Sequence, residues 1–382
     1  MKNKMNVMQV CRMYYPMLGG IERIVQDIAE GLCQETNMSV LTCQVKGAGS
    51  EEEINGVKVY RCSSMGTFCS LPVSPAFLMQ FRKKSRMQDI IHIHMPFPLA
   101  DLACLLSGYK GKVVLWWHSD VVRQKKMMYF YRPIMERLLK RADVIMVATE
   151  GHIEGSSYLG PYRSKCRVIP FGVERGVLDS ADKYLCSTAY VRTDKSGNQT
   201  DAEIKFLFIG RLVYYKGCEV LLQALKHVEG ACLTVIGDGV LKGELEQISS
   251  ELEITDRVRF LGSVSNEVLK QELAGCDVFV LPSIAKSEAF GIVQMEAMAY
   301  GKPVINTKLP SGVPYVSIDK QTGLTVEPGD DLALADAMQW LIEHPLERQQ
   351  FGEAAAKRVR EYFNVDYMIE EVLKVYRELQ NR

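Results

Sequence analysis

The sequence lacks the paired cysteines that zinc knuckles and disulfide frameworks require. Its eleven cysteines are an odd number, and no two of them are spaced as Cys-x2-Cys. Most lie within apolar segments, where a free cysteine behaves as a small hydrophobic residue in a reducing compartment. The cysteine pattern therefore excludes a disulfide-stabilised scaffold and predicts free thiols.

A long apolar segment is also missing. The longest uncharged run, residues 62–81, is about as long as a membrane-spanning helix, but it contains two prolines, a glycine and four serines. The N-terminal segment reaches Arg12 after a short apolar run and offers no small-residue cleavage site. We therefore expect neither a transmembrane helix nor a secretory signal, and we predict a cytoplasmic protein.

The composition is that of an ordinary soluble protein. Apolar residues make up 47% and charged residues 24% of the 382 residues, which disfavours disorder, and the length favours two domains. The formal net charge is zero, yet residues 1–170 contain 23 Lys and Arg against 14 Asp and Glu, and the remainder contains 23 against 32. A basic half favours an anionic partner such as a lipid headgroup, a phosphorylated acceptor or a nucleic acid, although a solvated surface explains the same charge equally well.

Apolar segments of strand length alternate with segments of helical periodicity in both halves of the chain. The predicted strands of the first half are 6–11, 38–43, 57–62, 89–94, 112–118 and 143–149. Those of the second half are 204–210, 231–237, 258–262, 276–283 and 303–308. Continuous apolar strands separated by helices indicate parallel sheets covered on both faces, so we predict an α/β protein with two Rossmann-like domains. Residues 184–203 form the most linker-like segment, and residues 330–380 are nearly all helical in pattern.

Paired glycines follow the first predicted strand. Open α/β sheets bind ligands at the carboxyl ends of their strands, so the loops after strands are the candidate sites. Gly19 and Gly20 precede a predicted helix and could present backbone amides to a phosphate. A tight turn explains the same two glycines at least as well.

Three histidines end or follow strands in the first half. His118 ends one strand, and Asp120 is near enough in sequence to orient its imidazole. His92 and His94 alternate along another strand and would therefore point to one face. Satisfying a partly buried loop or lining the floor of a cleft explains them better than a metal site shared with His118.

Two cations follow the first strand of the second half. Arg211 and Lys216 lie five residues apart across a turn, with Lys216 at a helix start. A cation is normally unfavourable there because the helix dipole is already positive. The pair therefore indicates an anion between them, which Arg211 could grip as a fork and Lys216 could meet as a point charge.

Two acidic residues flank an otherwise apolar helical segment. Glu288 precedes this helix and Glu296 lies about two turns further on, roughly on the same side. A helix cap and a solvated acid explain each residue singly, but a lone acid on so apolar a helix would be costly. The spacing indicates two contacts to one extended ligand.

The glycine-rich loop 237–243 is a weaker signal. Its spacing differs by one residue from Gly-x-Gly-x-x-Gly, and no acid follows the strand at 258–262. A nicotinamide-dependent enzyme is therefore disfavoured, although the loop could still shape a nucleotide site.

Taken together and in this order, the motifs resemble the retaining glycosyltransferases of family 4, which have the GT-B fold. The resemblance covers nearly the whole chain and rests on the Gly19-Gly20 loop, the His118 loop, residues 168–173, Gly210-Arg211 with Lys216-Gly217, and Glu288-x7-Glu296. It implies an acceptor-side domain at 1–170, a nucleotide-sugar-binding domain at 171–363, the two facing each other across a cleft, and a C-terminal helix at 364–382 that can pack back on the first domain. Residues 117–125 look like a bacterial surface-polysaccharide subgroup often assigned as mannosyltransferases.

The resemblance also implies a role for each motif. Arg211 and Lys216 would hold the donor diphosphate in place of a metal, and no Asp-x-Asp occurs in the chain. Glu288 would bind donor-sugar hydroxyls, Glu296 would accept from the ribose hydroxyls, and His118 would lie near the anomeric carbon. The remaining implied donor contacts are Gly19, Gly20, Phe290, Gly291 and Ile292. The implied acceptor contacts are Asp120, Arg123, Lys125 and Lys126.

The implied reaction is transfer of a hexose from a nucleotide-diphosphate sugar to a glycan or lipid-diphosphate-linked glycan, with retention of anomeric configuration. Mannose from GDP-mannose is favoured by analogy with the subgroup. No cofactor, metal or nucleic-acid partner is implied. A nucleotide-sugar epimerase of the same architecture and a non-catalytic sugar-nucleotide-binding module are the alternatives.

The segment Ser74 to Arg86 raises the question of membrane attachment. It combines Phe77, Leu78 and Phe81 with a cluster of cations, namely Arg82, Lys83, Lys84 and Arg86. Such a segment can rest on an anionic bilayer, and the family resemblance favours peripheral attachment to the inner face of the cell membrane. The alternative is a core helix with a solvated basic end.

Overall fold

The computed structural model describes residues 4–16, 19–68, 71–120, 125–188 and 203–382, with backbone only at 125–127 and 187–188. The chain divides into two compact units. The first contains residues 1–171 together with 365–382, and the second contains residues 172–364. Most of the predicted linker-like segment, 184–203, lies outside the described residues.

The first unit is built on an eight-stranded sheet. Its strands are β1 (Asn6–Val10), β2 (Asn37–Cys43), β3 (Ser50–Ile54), β4 (Val57–Cys62), β7 (Ile90–Met95), β8 (Lys112–Trp117), β9 (Val144–Val147) and β10 (Cys166–Val168), and a separate short hairpin holds β5 (Thr67–Phe68) and β6 (Leu71–Pro72). The order is β10-β9-β8-β7-β1-β2-β4-β3, parallel except for β3 against β4. The order reverses between β1 and β7, which is where doubly wound sheets open a crevice for ligands.

Helices cover both faces of this sheet. They are α1 (Gly20–Leu32), α2 (Pro75–Ser85), α3 (Pro98–Leu106), α4 (Lys125–Arg141), α5 (Glu150–Glu154) and the last helix of the chain, α14 (Val365–Gln380). Helix α14 packs on α1, and Ile369 lies so close to Gly31 that a Cβ there would be 2.5 Å from Ile369 Cδ1. The C-terminal helix is therefore part of the first unit's core.

The second unit holds a six-stranded, fully parallel sheet. Its strands are β11 (Ile204–Ile209), β12 (Ala231–Ile236), β13 (Val258–Gly262), β14 (Val278–Leu281), β15 (Val304–Thr307) and β16 (Gly323–Val326). Its helices are α6 (Arg175–Thr188), α7 (Cys218–Lys226), α8 (Lys242–Glu251), α9 (Asn266–Gly275), α10 (Ile292–Ala299), α11 (Val313–Val316), α12 (Asp331–Glu343) and α13 (Pro345–Tyr362). The order β13-β12-β11-β14-β15-β16 is that of a Rossmann domain, with its reversal between β11 and β14.

The prediction of two parallel-sheet α/β domains is confirmed. Every strand predicted from an apolar run is present, because strands buried on both faces are apolar at nearly every position: all four residues of β9 and of β14 are buried. The polar strand β3, with four glutamate- or serine-bearing exposed positions, was not predicted, and neither was α6. Both have a solvated side that gives no apolar run.

The structure corrects the apolar side assigned to the segment Ser74 to Arg86. Phe77 and Phe81 have no exposed surface, and Phe77 packs edge-on against Phe97 with ring centroids 5.3 Å apart. Lys84 is paired with Glu51 at 2.8 Å. Helix α2 is thus a core helix whose basic end is solvated. In the described part of the chain, no helix is long and apolar enough to cross a membrane.

Candidate functional site

The two predicted cations lie at the point where the strand order of the second unit reverses. Arg211 follows β11 in an exposed turn, and its guanidinium donates to the Tyr215 hydroxyl at 3.3 Å. Among the described residues Arg211 has no carboxylate partner. The loop after β14 joins the same edge, since the Ile284 amide donates to the Tyr215 carbonyl at 2.9 Å. The carboxyl ends of β11 and β14 therefore present one continuous group of loops.

Lys216 and Glu288 meet within this group. Lys216 Nζ lies 2.6 Å from Glu288 Oε2, and their side chains are 11% and 10% exposed. Ser283 donates to the same carboxylate oxygen at 3.2 Å. The ammonium therefore has a matched counter-ion, and an arriving anion has to share Lys216 with Glu288.

Close backbone approach holds these loops together. Gly217, between Lys216 and α7, has a φ of +67°, and a Cβ there would lie 2.0 Å from the Pro282 carbonyl oxygen. Only glycine fits this position, because it must accept both the left-handed conformation and the contact. The glycine-rich loop 237–243 supports the same edge, with the Leu212 amide donating to the Asp238 carbonyl at 2.9 Å.

The loop before α10 is fixed by a buried amide network that the sequence patterns did not reveal. Gln294 is fully buried and donates to the carbonyls of Phe290 at 2.8 Å and Val313 at 3.2 Å. The Asn306 side chain, near the end of β15, donates to the side-chain oxygen Oε1 of Gln294 at 3.3 Å. Their signal in sequence is a polar residue inside an apolar run. This network positions the backbone of residues 289–292.

The other residues predicted for this segment lie at the start of α10 and along it. Gly291 caps α10 with a φ of +71°, and Ile292 is the first helical residue. Phe290 is buried against Phe363, with ring centroids 6.0 Å apart. Glu296 is half-buried on α10, one turn from Tyr300. The first amides of α10 are those that a helix leaves available to an acceptor.

In the first unit, the Glu22 carboxylate lies at the N-terminus of α1, beside Gly19 and Gly20. Gly19 is the extended cap of α1, Gly20 its first residue, and both are exposed. A Cβ at residue 19 would lie 2.6 Å from Glu22 Oε2, and Arg12 Nη2 is 3.6 Å from Glu22 Oε1. Glu22 thus supplies negative charge near the positive end of the helix. Sequence reasoning missed this residue.

The three histidines form a buried stack. His94 Nδ1 lies 3.0 Å from His118 Nε2, and His94 Nε2 lies 2.7 Å from Gln9 Oε1. His92 Nδ1 is 2.6 Å from the Tyr376 hydroxyl, and its ring stacks on His94 with centroids 4.6 Å apart. The histidines bond to neighbours in a row and do not converge on one point. No group of side chains that could hold a metal ion occurs among the described residues.

This row determines the tautomer of His118. Burial lowers the pKa of His118 to about 3 and that of His94 well below its usual value, so both rings are neutral near pH 7. The Gln9 amide nitrogen faces the sulfur of Met38 at 4.0 Å, which leaves the amide oxygen to accept from His94 Nε2. His94 Nδ1 then accepts from His118 Nε2, which leaves the lone pair of the His118 ring on Nδ1.

Asp120 holds two loops together. Its carboxylate accepts from the Trp117 indole at 3.2 Å, the Ser156 hydroxyl at 2.7 Å and the Ser157 amide at 3.0 Å. The structure therefore gives Asp120 a loop-fixing position beside His118, whose Nε2 is bonded to His94.

The other predicted acceptor residues are described incompletely. Arg123 lies outside the described residues. Lys125 and Lys126 are in the first turn of α4, where the backbone alone is described.

Comparison with known proteins supplies the family. Residues 18–177 match the family model described as Glycosyltransferase Family 4, and residues 192–358 match Glycosyl transferases group 1. The chain is 33% identical to the D-rhamnosyltransferase WbpZ of Pseudomonas aeruginosa, over 91% of this chain and 88% of that protein. It is 29% identical to the O-antigen chain mannosyltransferase C of Escherichia coli, over 97% and 98%.

The fold is shared with solved structures. Sucrose-phosphate synthase of Thermosynechococcus elongatus superposes with a TM-score of 0.80 at 22% identity, covering 99% of this chain and all of that one. At this identity the likeness concerns the fold, and it confirms the predicted GT-B class.

Proposed function

The chain belongs to the group 1 glycosyltransferases with a family 4 N-terminal region, and we propose that it transfers a manno-configured hexose from a nucleotide-diphosphate sugar to a surface-polysaccharide acceptor. The observation that carries this proposal is the ion pair of Lys216 with Glu288 at the same sheet edge as Arg211, which is exposed and has no carboxylate partner among the described residues. Two cations and a carboxylate at one sheet edge suit a ligand with both phosphate and hydroxyl groups.

In this proposal Arg211 and Lys216 bind the diphosphate of the donor. Arg211 meets it as a bidentate donor, and Lys216 shifts part of its interaction from Glu288 to phosphate. The Glu288 carboxylate then accepts from donor-sugar hydroxyls, together with the backbone at Phe290, Gly291 and Ile292. Glu296 accepts from the ribose, while the amides at Gly19 and Gly20 add to the phosphate contacts.

The names of two relatives support our choice of sugar. One relative is named a mannosyltransferase and the other a D-rhamnosyltransferase, and D-rhamnose is 6-deoxy-D-mannose. Mannose from GDP-mannose is our first choice, and the 6-deoxy donor is the matched comparison.

The proposed mechanism retains the anomeric configuration and needs no metal. The leaving phosphate is neutralised by Arg211 and Lys216 and serves as the base for front-face attack. His118 stays neutral, so it contributes a carbonyl or a lone pair to the cationic anomeric centre and not a proton. Activity should persist in excess EDTA, and loss that magnesium or manganese restores would contradict the proposal.

The decisive experiment uses the purified protein with GDP-mannose or GDP-D-rhamnose and a mannosyl acceptor. A new glycoside whose one-bond C1–H1 coupling assigns the same anomeric configuration as in the donor supports retaining transfer. Conversion of the donor sugar without acceptor would indicate an epimerase. Tight donor binding with no turnover would indicate a binding module.

We also propose that the protein attaches peripherally to the anionic inner face of the cell membrane, where a lipid-linked acceptor would lie. Three cations at the C-terminal end of α2 are exposed, namely Arg82 and Lys83 in the helix and Arg86 directly after it. Met65, two residues before β5, and Phe68, in β5, are each 68% exposed, and Met79 is 66% exposed on α2. This surface replaces the buried side of α2 as the candidate contact.

Liposome sedimentation tests the attachment. Vesicles with anionic lipid should sediment the protein, and about 0.5 M salt should release it by screening. The triple Ser variant of Arg82, Lys83 and Arg86 should bind less, while a control with exposed Lys58 and Lys110 changed to Ser should bind as before. Equal sedimentation with neutral vesicles, or none with either, would remove the proposal.

A further inference from the structure

The described contacts of the Glu288 carboxylate all fall on one of its two oxygens. Lys216 Nζ lies 2.6 Å from Oε2, and the Ser283 hydroxyl donates to the same atom at 3.2 Å. Oε1 receives no hydrogen bond in the described part of the chain, yet it is not enclosed by protein atoms. The small exposed part of this side chain therefore includes Oε1, and this oxygen is available to a ligand.

The Ser283 hydroxyl is held in a fixed direction by its backbone. The Thr307 hydroxyl, at the end of β15, donates to the Ser283 carbonyl at 2.6 Å. The amide of the next residue, Ile284, donates to the Tyr215 carbonyl at 2.9 Å. With the backbone held on both sides, the position of the hydroxyl oxygen depends on a single staggered torsion, χ1. The fold therefore sets how Ser283 meets Glu288.

The two partners of Oε2 respond differently to an arriving diphosphate. Lys216 can turn toward a phosphate, because its ammonium ends a flexible four-carbon stem. Ser283 has a short side chain with no exposed surface, so it stays where it is. Once Lys216 shares its charge with phosphate, the hydroxyl of Ser283 is the contact that keeps Oε2 of Glu288 turned inward.

We propose that Ser283 and Thr307 are positioning residues, which hold the Glu288 carboxylate so that Oε1 accepts hydrogen bonds from the donor sugar. The inference rests on the proposed function, because it deepens the role of Glu288 in the same site. Ser283 acts directly on Oε2, and Thr307 acts through the Ser283 backbone. Neither residue contacts the donor, since Ser283 is fully buried and Thr307 is 2% exposed.

A positioning role and a structural role predict different measurements. If the Ser283 hydroxyl only satisfies a buried carboxylate oxygen, its loss lowers stability and leaves ligand preference unchanged. If it positions Glu288, its loss weakens binding of the sugar part of the donor and spares the nucleotide part, because Arg211 and Lys216 still meet the diphosphate. The Kd for GDP divided by the Kd for GDP-mannose compares ligands that differ by the sugar, and we call this ratio the sugar preference.

Isothermal titration of the whole protein with GDP and with GDP-mannose measures the sugar preference. Ser283→Ala should lower it about 3- to 10-fold, as expected for a weakened hydrogen bond, and leave the Kd for GDP unchanged. Thr307→Val should act in the same direction, and Thr307→Ser, which keeps the hydroxyl, should restore the wild-type value. Ser250→Ala, at an exposed serine on α8 of the same unit, is the matched control.

A double variant tests whether Ser283 acts through Glu288. Glu288→Ala removes the group that is positioned, so adding Ser283→Ala should lower the sugar preference no further. A further loss in the double variant would overturn the inference. So would a wild-type sugar preference in both Ser283→Ala and Thr307→Val, or equal losses of affinity for GDP and GDP-mannose.

The binding measurement does not depend on turnover, so it separates the inference from the proposed function. A lowered sugar preference in Ser283→Ala, found in a protein that transfers no mannose, would support the positioning role and refute the proposed transferase. Full mannosyl transfer by a Ser283→Ala variant with a wild-type sugar preference would refute the positioning role and leave the proposed function intact.

Discussion

Lys216 Nζ and Glu288 Oε2 are 2.6 Å apart, although the two residues belong to different loops and were assigned to different parts of a ligand from sequence. Both side chains are about nine-tenths buried. Charges this well buried depend on each other, because either one alone would be desolvated without compensation. Any substitution at this pair therefore changes stability as well as binding.

Lys216→Ala should lower the free energy of unfolding by about 3 kcal/mol, because it leaves the Glu288 carboxylate buried with Ser283 as its remaining partner among the described residues. The double variant Lys216→Met with Glu288→Gln should recover much of the loss. Urea denaturation measures both, and exposed Lys226→Ala on the same unit is the control. Equal stability of the Lys216 and Lys226 variants would show that the pair is not coupled in solution.

Arg211→Ala should separate catalysis from stability. The side chain is exposed and its one described hydrogen bond is to Tyr215, so unfolding should change by less than about 0.5 kcal/mol. Turnover should fall by about 10²-fold or more, as when charge stabilisation is removed from a transition state. Arg259→Ala, which breaks an exposed pair with Glu272, is the control. Near wild-type turnover in Arg211→Ala would refute the diphosphate site.

The two acids should differ in their effect on the free nucleotide. Glu296→Ala should weaken its binding by roughly 1 to 3 kcal/mol through lost hydrogen bonds to a charged group. Glu288→Gln, which keeps the size of the side chain beside Lys216, should mainly reduce turnover. Isothermal titration with GDP compares them. Identical changes in affinity would contradict the division between ribose and sugar contacts.

Asp101 should make stability depend on pH. It is fully buried and bonded to the Tyr131 hydroxyl, and burial raises its pKa to about 7. Between pH 4 and 7 the folded state holds a proton that the unfolded state has lost, so this group's contribution to stability decreases as the pH rises through that interval. Asp101→Asn removes the effect. Its melting temperature relative to the wild type should therefore be higher at pH 8 than at pH 5.

Buried histidines act in the opposite direction over much of the same pH range. Burial lowers the pKa of His92 and His118 to about 3 and of His152 to about 4. The unfolded state therefore takes up protons first as the pH falls below about 6.5, and stability decreases. Because Asp101→Asn retains these histidines, the difference between the two proteins isolates Asp101. A difference that stays constant from pH 5 to 8 would show that Asp101 is not protonated in the folded state.

The sequence by itself determined where the strands lie and in which order the motifs follow one another. Strands such as β9 and β14 are buried on both faces, so their apolar runs were legible without knowing their neighbours. The end of each apolar run also marks where the loop after the strand begins. Because ligands bind at the carboxyl ends of parallel strands, Arg211, Lys216 and Glu288 were all candidates for ligand contacts. Strand β3 was missed because four of its five residues are exposed and polar.

Tertiary structure decided which groups are partners and which are buried. The amphipathic reading of α2 was wrong about Phe77 and Phe81, because a single helix does not show which of its faces meets the core. The bond of His94 to His118 and the short bond of Tyr131 to Asp101 join different strands and helices, so no spacing along the chain encodes them. A sequence fixes the chemical type of each group, whereas its partner, its charge state and its access to water depend on residues brought near only by folding.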